Sequence, residues 1–156
     1  MFTLIKNDIT KLDIEKDIMN SNEEYNLIAY DKPVLENKDI VETFKEAEAL
    51  QIERYVVKEG ENYIAILDFG MSSPRQEKPW LSLLAIHKDY QGLGYAKKIY
   101  ALYEGWMKNK QVTNIQIAVH QVNSHALCFW NSIGFVPWNE RVFKGKVIIS
   151  LEKKVD

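Results

Sequence analysis

The sequence predicts an α+β fold, a mixed and largely antiparallel sheet of about six or seven strands flanked by about four helices. Three patterns predict it. Residues 53–69 read as strand, turn and strand around Glu59-Gly60-Glu61-Asn62, and residues 135–151 repeat that pattern around Lys144-Gly145. Between these hairpins lie Trp80–His87, almost continuously apolar, then a run with helical period, then the strand pattern Thr113–Val119. A strand, a helix and a strand in succession give one parallel pair, while the hairpins supply antiparallel neighbours.

Taken in order, Phe2–Lys6 is a short strand. Thr10 is the expected cap of a helix over residues 11–20, with Leu12, Ile14, Ile18 and Met19 as its apolar members. A second helix over 38–50 places Ile40, Val41, Phe44, Ala47 and Leu50 on one face. Tyr25–Leu35, between the two, shows no decisive period. Glu53–Lys58 and Tyr63–Phe69 form the first hairpin, and residues 70–79, with Gly, Ser and Pro, form a loop. Trp80–His87 has the character of a strand buried on both faces. Ala96, Ile99, Tyr100, Tyr103, Trp106 and Met107 mark a helix ending near Lys108. A shorter helix runs from Asn123 or Ser124 to Ser132, ended by Gly134, where a left-handed residue costs glycine little. Phe135–Val142 and Lys146–Leu151 close the chain.

At 156 residues, 46% hydrophobic and 27% charged, the chain is expected to form one domain over 1–156, a monomer or homodimer. The single cysteine, Cys128, rules out an intrachain disulfide and fits a reducing compartment. The opening residues carry no signal-peptide pattern and no long apolar run, so a cytoplasmic protein without a membrane partner is expected. Charge is unevenly spread: residues 1–70 hold 8 Lys/Arg against 16 Asp/Glu, and residues 71–156 hold 12 against 6. The basic half suits an anionic ligand. The acidic half suits a cationic one, or is simply a solvated face. No basic run with interleaved aromatics supports nucleic-acid binding, and no cluster of His, Cys and carboxylates has metal-ligand spacing, so neither partner is expected.

The chemistry concentrates in Gln91-Gly92-Leu93-Gly94-Tyr95-Ala96. A strand that turns through glycines into a helix aims unpaired backbone N–H groups, and the positive end of the helix dipole, at one point. Such a point holds phosphate; the same residues also suit a tight strand–helix turn with no ligand. A P-loop would need Lys-Ser/Thr after a longer glycine loop, which is missing. A dinucleotide fingerprint would need glycine where Lys97 stands, and an acidic residue about 20 positions on, near Asn114.

Gln91-x-x-Gly94-x-Ala96 matches the (Arg/Gln)-x-x-Gly-x-(Gly/Ala) pattern of the GNAT acetyltransferase superfamily, and Leu84-Ala85-Ile86 resembles its preceding strand. Asn123-x-x-Ala126-x-x-Phe129-Trp130-x-x-x-Gly134-Phe135 resembles the second signature of that family. The resemblance covers roughly residues 80–136. It implies an N-acetyltransferase that moves an acetyl group from acetyl-CoA to a primary amine by direct attack. It further implies that backbone around Gln91–Ala96 holds the coenzyme A pyrophosphate, with Lys97 and Lys98 nearby. Leu84, Ala85 and Ile86 would pair with pantetheine where two parallel strands splay apart. Asn123 would touch the pantetheine arm, and Gly134-Phe135 would fix the helix end.

Two departures from the family pattern matter. The aromatic after Phe129 is usually a Tyr that protonates the departing thiolate; here it is Trp130, which packs against coenzyme or core and supplies no proton. A thiol of pKa about 8.5 leaves tolerably as the thiolate, with water or Cys128 as aids. The strand Trp80–His87 offers no carboxylate to serve as base. His120 shares a strand face with Ala118, where some family members carry a basic carboxylate, so His120 is the candidate base; Glu53 or Asp68 through water is the alternative. His87, beyond a strand end, and His125, in the first turn of a helix, are assigned no role, and Cys128 is not expected to act as a covalent nucleophile. The acidity of residues 1–50 favours a small cationic amine as acceptor. A protein amino terminus or lysine is the alternative acceptor, and a coenzyme A-binding module without catalysis is the alternative function.

Overall fold

The computed structural model describes residues 1–156. Seven strands and five α-helices follow one another along it: β1 (Phe2–Lys6), α1 (Leu12–Asn20), α2 (Glu23–Tyr30), α3 (Asn37–Ala49), β2 (Glu53–Glu59), β3 (Asn62–Gly70), β4 (Trp80–Ile86), α4 (Tyr95–Asn109), β5 (Asn114–His120), α5 (Ser124–Ser132), β6 (Val136–Phe143) and β7 (Lys146–Lys154). The sheet runs β1-β2-β3-β4-β5-β7-β6, and every neighbouring pair is antiparallel except β4 and β5. The mixed sheet with one parallel pair is the architecture the sequence predicts.

The helices differ from expectation in two places. The undecided segment Tyr25–Leu35 contains most of α2, a fifth helix where about four are expected. Its one buried residue is Asn26, whose amide donates to the carbonyls of Met19 and Pro33, both at 2.9 Å. A helix anchored by a polar side chain leaves no apolar stripe to read. Thr10 is not the cap of α1. Asp8 accepts the Thr10 N–H at 3.0 Å within a 3₁₀ turn over Ile9–Lys11, and α1 begins at Leu12, where the N-cap residue Lys11 makes no side-chain cap.

Helices α4 and α5 cover one face of the sheet. There Leu67, Phe69, Leu81, Ile117 and Val119 meet Ile99, Tyr103 and Met107 in the main core. Helices α1 and α3 cover the other face, where Ile18 is fully buried against Val56 and Ile66. Each such side chain contributes roughly 1.5–3 kcal/mol by leaving water.

That second layer is also fixed by buried charge. Arg54 of β2 donates to Glu15 of α1 at 2.8 Å and lies 3.1 Å from Asp68 of β3, its guanidinium 4.6 Å from the Phe44 ring centroid. Asn7 donates to the other oxygen of Glu15 at 2.8 Å. One guanidinium thus serves two carboxylates, and Asp68 Oδ1 has no partner. Desolvation outweighs the attraction of Arg54 and pushes the Asp68 carboxyl up to about 7.

The folded chain therefore holds the Asp68 proton up to about pH 7, while the unfolded chain releases it near about pH 4. Between those values the unfolded state binds fewer protons, so this group's contribution to stability falls as pH rises. We predict that Asp68→Asn removes this fall. Urea unfolding at about pH 4.5 and about pH 7.5 should show a smaller difference for the variant than for the parent, and an unchanged difference would refute the assignment.

Candidate functional site

The sheet is incomplete at its centre. Strands β4 and β5 pair only at Trp80 and Gln116, where the Gln116 N–H donates to the Pro79 carbonyl at 3.0 Å. Just beyond, Leu81 and Leu83 oppose Phe69 and Asp68, so Ser82 is an extra residue in β4. A bulge of this kind bends its strand and ends pairing. From there β4 leaves β5 and a gap opens toward their carboxyl ends. Ser82 and Ala118 are exposed although they lie on the two central strands, so β4 is not covered on both faces as its sequence suggests.

The backbone of β4 faces this gap. The His87 N–H donates to Ile64 of β3 at 2.8 Å, so by alternation Ala85 also turns toward β3 while Leu84 and Ile86 turn into the gap. The Ile86 carbonyl accepts amides from Gln91 at 2.8 Å and Asn22 at 3.0 Å. Leu84 has no strand beside it on that side.

The glycine turn follows directly. Gly92 and Gly94 have φ of 77° and 83°, a region that β-carbon sterics make costly for other residues. No atom stands within 4 Å of where a Cβ would lie at either position, so the space in front of the turn is open. Gly94 begins α4 without a side-chain cap, and the first helical bond runs from the Lys98 N–H to the Gly94 carbonyl at 3.3 Å. Between them, the N–H groups of Gly92, Leu93, Gly94, Tyr95, Ala96 and Lys97 find no acceptor within the chain. They lie at the positive end of the α4 dipole.

Side chains around the turn hold it in place. Gln91 donates to Asn22 Oδ1 at 2.6 Å as well as to Ile86, and its own N–H goes to Lys88 at 3.2 Å. Its amide therefore ties the turn to the end of β4 and to the α1–α2 junction. Tyr95 sends its hydroxyl to Glu59 at 2.6 Å, leaving only its backbone toward the opening. Ala96 packs on the core, Leu93 is exposed, and Lys97 is exposed with no carboxylate in contact. Asn22 and Ser21, which receives the Lys88 N–H at 3.0 Å, are not singled out by the sequence. Two polar residues between helices carry no pattern that would mark them.

Across the gap, Ile115, Ile117 and Val119 join the α4 core, so Gln116, Ala118 and His120 face the α1–α2 layer. His120 is half-buried. Burial first, and the charge of Lys146 second, push its imidazole below the usual range, which keeps it neutral at pH near 7. Lys146 itself is anchored to α2 by the Ile28 carbonyl at 2.6 Å and Asp31 at 3.0 Å. The His120 carbonyl accepts the Asn123 N–H at 2.9 Å, and Asn123 Oδ1 caps α5 through the Ala126 N–H at 3.1 Å. Asp68, the alternative base, is bound into the Arg54 cluster. No three His, Cys, Asp or Glu side chains gather as a metal site, and no helix is long and apolar enough to cross a membrane.

The acetyltransferase (GNAT) family matches residues 16–135 of this chain. The chain belongs to that family. It is an acetyltransferase with the family's fold. Among solved structures, an acetyltransferase from Thermus thermophilus superposes with a TM-score of 0.81 at 18% identity, covering 99% of this chain and 97% of that one. A spermidine N-acetyltransferase from Vibrio cholerae, in complex with CoA and spermine, gives 0.75 at 15%, covering 98% and 95%. The ribosomal-protein-S18-alanine N-acetyltransferase from Escherichia coli gives 0.71 at 16%, covering 99% and 94%. At these identities the likeness is one of fold. No curated protein sequence matches the chain.

Trp130, where the family usually has Tyr, lies in the core between α4 and α5. Its ring packs edge-on against Phe129, Phe135 and Tyr100 with centroids 4.9, 5.4 and 5.7 Å away. Its carbonyl accepts the Phe135 N–H at 3.0 Å. We predict that Trp130→Ala costs about 3–5 kcal/mol of stability in denaturant titration, while Trp130→Phe costs less than half of that. Equal, small losses for both would contradict a core role.

Proposed function

We propose that the chain, as one unit over 1–156, is an N-acetyltransferase that moves the acetyl group of acetyl-CoA to a small primary amine by direct attack. The observation that carries this is the row of six free N–H groups from Gly92 to Lys97 beside a strand edge left open by its partner. A pyrophosphate suits the first feature, because it accepts several hydrogen bonds at once and is favoured by the helix dipole. An amide-bearing arm suits the second, since the N–H and C=O groups of Leu84 and the N–H of Ile86 offer strand-like bonds.

Acetyl-CoA supplies the acetyl group as an activated thioester. The chain's own residues do the rest. The turn at Gly92–Lys97 holds the phosphates, with Lys97 adding charge, and β4 fixes the arm so that the thioester lies in the gap. His120, neutral and facing the same opening, takes the proton of the incoming ammonium. Asn123 supports this edge by holding α5 against the end of β5. No proton donor is required for a thiolate of pKa about 8.5, which accords with Trp130 being packed away. The lone Cys128 fits work in a reducing cytoplasm.

A thiol-release assay with acetyl-CoA and a broad amine panel tests the reading. At least one amine should release coenzyme A, and binding without any release would leave only a coenzyme A-binding module. Gly94→Val should lower coenzyme A affinity at least about tenfold, roughly 1.4 kcal/mol, by calorimetry; unchanged affinity in the folded variant would sink the cradle. His120→Ala should lower the maximal rate by about 10²-fold and remove the loss of rate on the acidic side, where His120 protonates. Persistence of that acidic limb would assign it to another group.

A further inference from the structure

The acceptor side of the gap carries charge that the transfer chemistry leaves unexplained. Three strands line up there. His120 of β5 pairs with Ile148 of β7, and Ile148 pairs with Arg141 of β6, so all three side chains share one face. Two strand spacings separate His120 from Arg141, about 10 Å between backbones. Arg141 does not point off the edge. Its Nη1 donates to Ser150 of β7 at 3.1 Å, and Ser150 pairs with the exposed Ala118, so the guanidinium leans over β7 toward β5, which borders the gap.

A second guanidinium comes from the β3–β4 loop. That loop is folded on itself: the Ser73 N–H donates to Lys78 at 2.8 Å, the Glu77 N–H donates to Ser73 at 3.0 Å, and the buried Ser73 hydroxyl accepts the N–H groups of Gln76 and Lys78. Lys78 lies 3.8 Å from Glu152 of β7, on the face that Arg141 shares. Arg75, on the loop so held, is exposed. The guanidinium of Arg141 is pushed below its usual pKa by burial and then by the charge of Arg75. No carboxylate lies within 4 Å of either arginine.

Part of the acid excess of residues 1–70, which suggests a cationic acceptor, is already paired or lies away from the gap. Glu15 and Asp68 share Arg54, and Asp31 holds Lys146. Asp13, Asp17 and Glu61 line a hollow on the β3 side of β4, with Tyr63 and His87. Glu152, on the acceptor face, is taken by Lys78. Arg141 is half-buried with only the Ser150 hydroxyl as partner, and a planar or tetrahedral oxyanion meets its remaining donors with directed hydrogen bonds and its charge with an opposite one.

We infer that the acceptor is an amine that also bears an anionic group, a carboxylate or a phosphonate, held by Arg141 while its amine faces His120. This rests on the acetyl-transfer reading of the same cleft. The test compares amino carboxylic and amino phosphonic acids with their neutral amides, and with spermidine, in the thiol-release assay. The acids should show at least about tenfold higher kcat/KM, about 1.4 kcal/mol, and Arg141→Gln should collapse that preference mainly through KM. Arg141→Lys should restore it in part, and coenzyme A affinity reports that each variant is folded. Preference for spermidine or the amides, or a preference that survives Arg141→Gln, overturns the inference. If no amine releases thiol, the acetyl-transfer reading fails separately. Calorimetric titration of the same acids then decides the anion site: binding lost in Arg141→Gln supports it, and absent or unaltered binding overturns it.

Discussion

Every other ladder of the sheet pairs along most of its strands, interrupted at most by one bulge, and the function depends on the one that does not. Strand β5 meets β4 at a single residue pair and β7 along its whole length. The extra residue at Ser82 bends β4 where the pairing stops. Breaking a ladder in the middle of a sheet exposes N–H and C=O groups that a buried interior could not leave unpaired. Here they lie in an opening, where solvent or a ligand meets them. The same divergence sets the glycine turn at the mouth of the gap, because α4 starts where β4 ends. It also uncovers Ala118 and leaves His120 half-open to the same space.

The two faces of the sheet are held by different physics. On the α4–α5 side the contacts are apolar and aromatic, with Phe69, Tyr103, Trp130 and Phe135 in one cluster. On the α1–α3 side, directional polar contacts add to a smaller apolar core. Asn20 grips both the N–H and the carbonyl of Leu35 at 2.8 and 3.0 Å, Asn26 fixes α2, and Arg54 joins α1 to two strands. Asn22 extends that scheme to the site, because it touches both the Ile86 carbonyl and the Gln91 amide. The position of the glycine turn is thus coupled to the layer that roofs the acceptor side. One polar junction sets both.

Much of this is legible in the sequence, for definite reasons. Glycines at Gly92 and Gly94 mark backbone that needs positive φ, and the apolar period of Ile99, Tyr103 and Met107 marks a helix buried on one side. The hairpins carry their turn residues openly. Helix α2 is not legible, because Asn26 anchors it and no apolar period records that. The bulge at Ser82 is hidden, since a single extra residue in an apolar run changes no pattern. The signature marks Gln91 at the start of the turn, and its side chain is bonded to Asn22 and Ile86, partners that the signature does not name. Charge counted by halves of the chain also hides local pairing: it does not register that Arg54 absorbs Glu15 and Asp68.

The central claim is that the open edge of β4 and the unpaired amides of Gly92–Lys97 form one binding surface. Residue-resolved amide NMR spectra during titration with coenzyme A test it most directly. The account predicts that the N–H signals of Gly92 through Lys97, together with those of Leu84 and Ile86, shift and gain protection from exchange, while those of α3 stay in place. Saturable binding that leaves these eight amides unmoved, or that shifts the hollow around Asp13 and Asp17 instead, would contradict it.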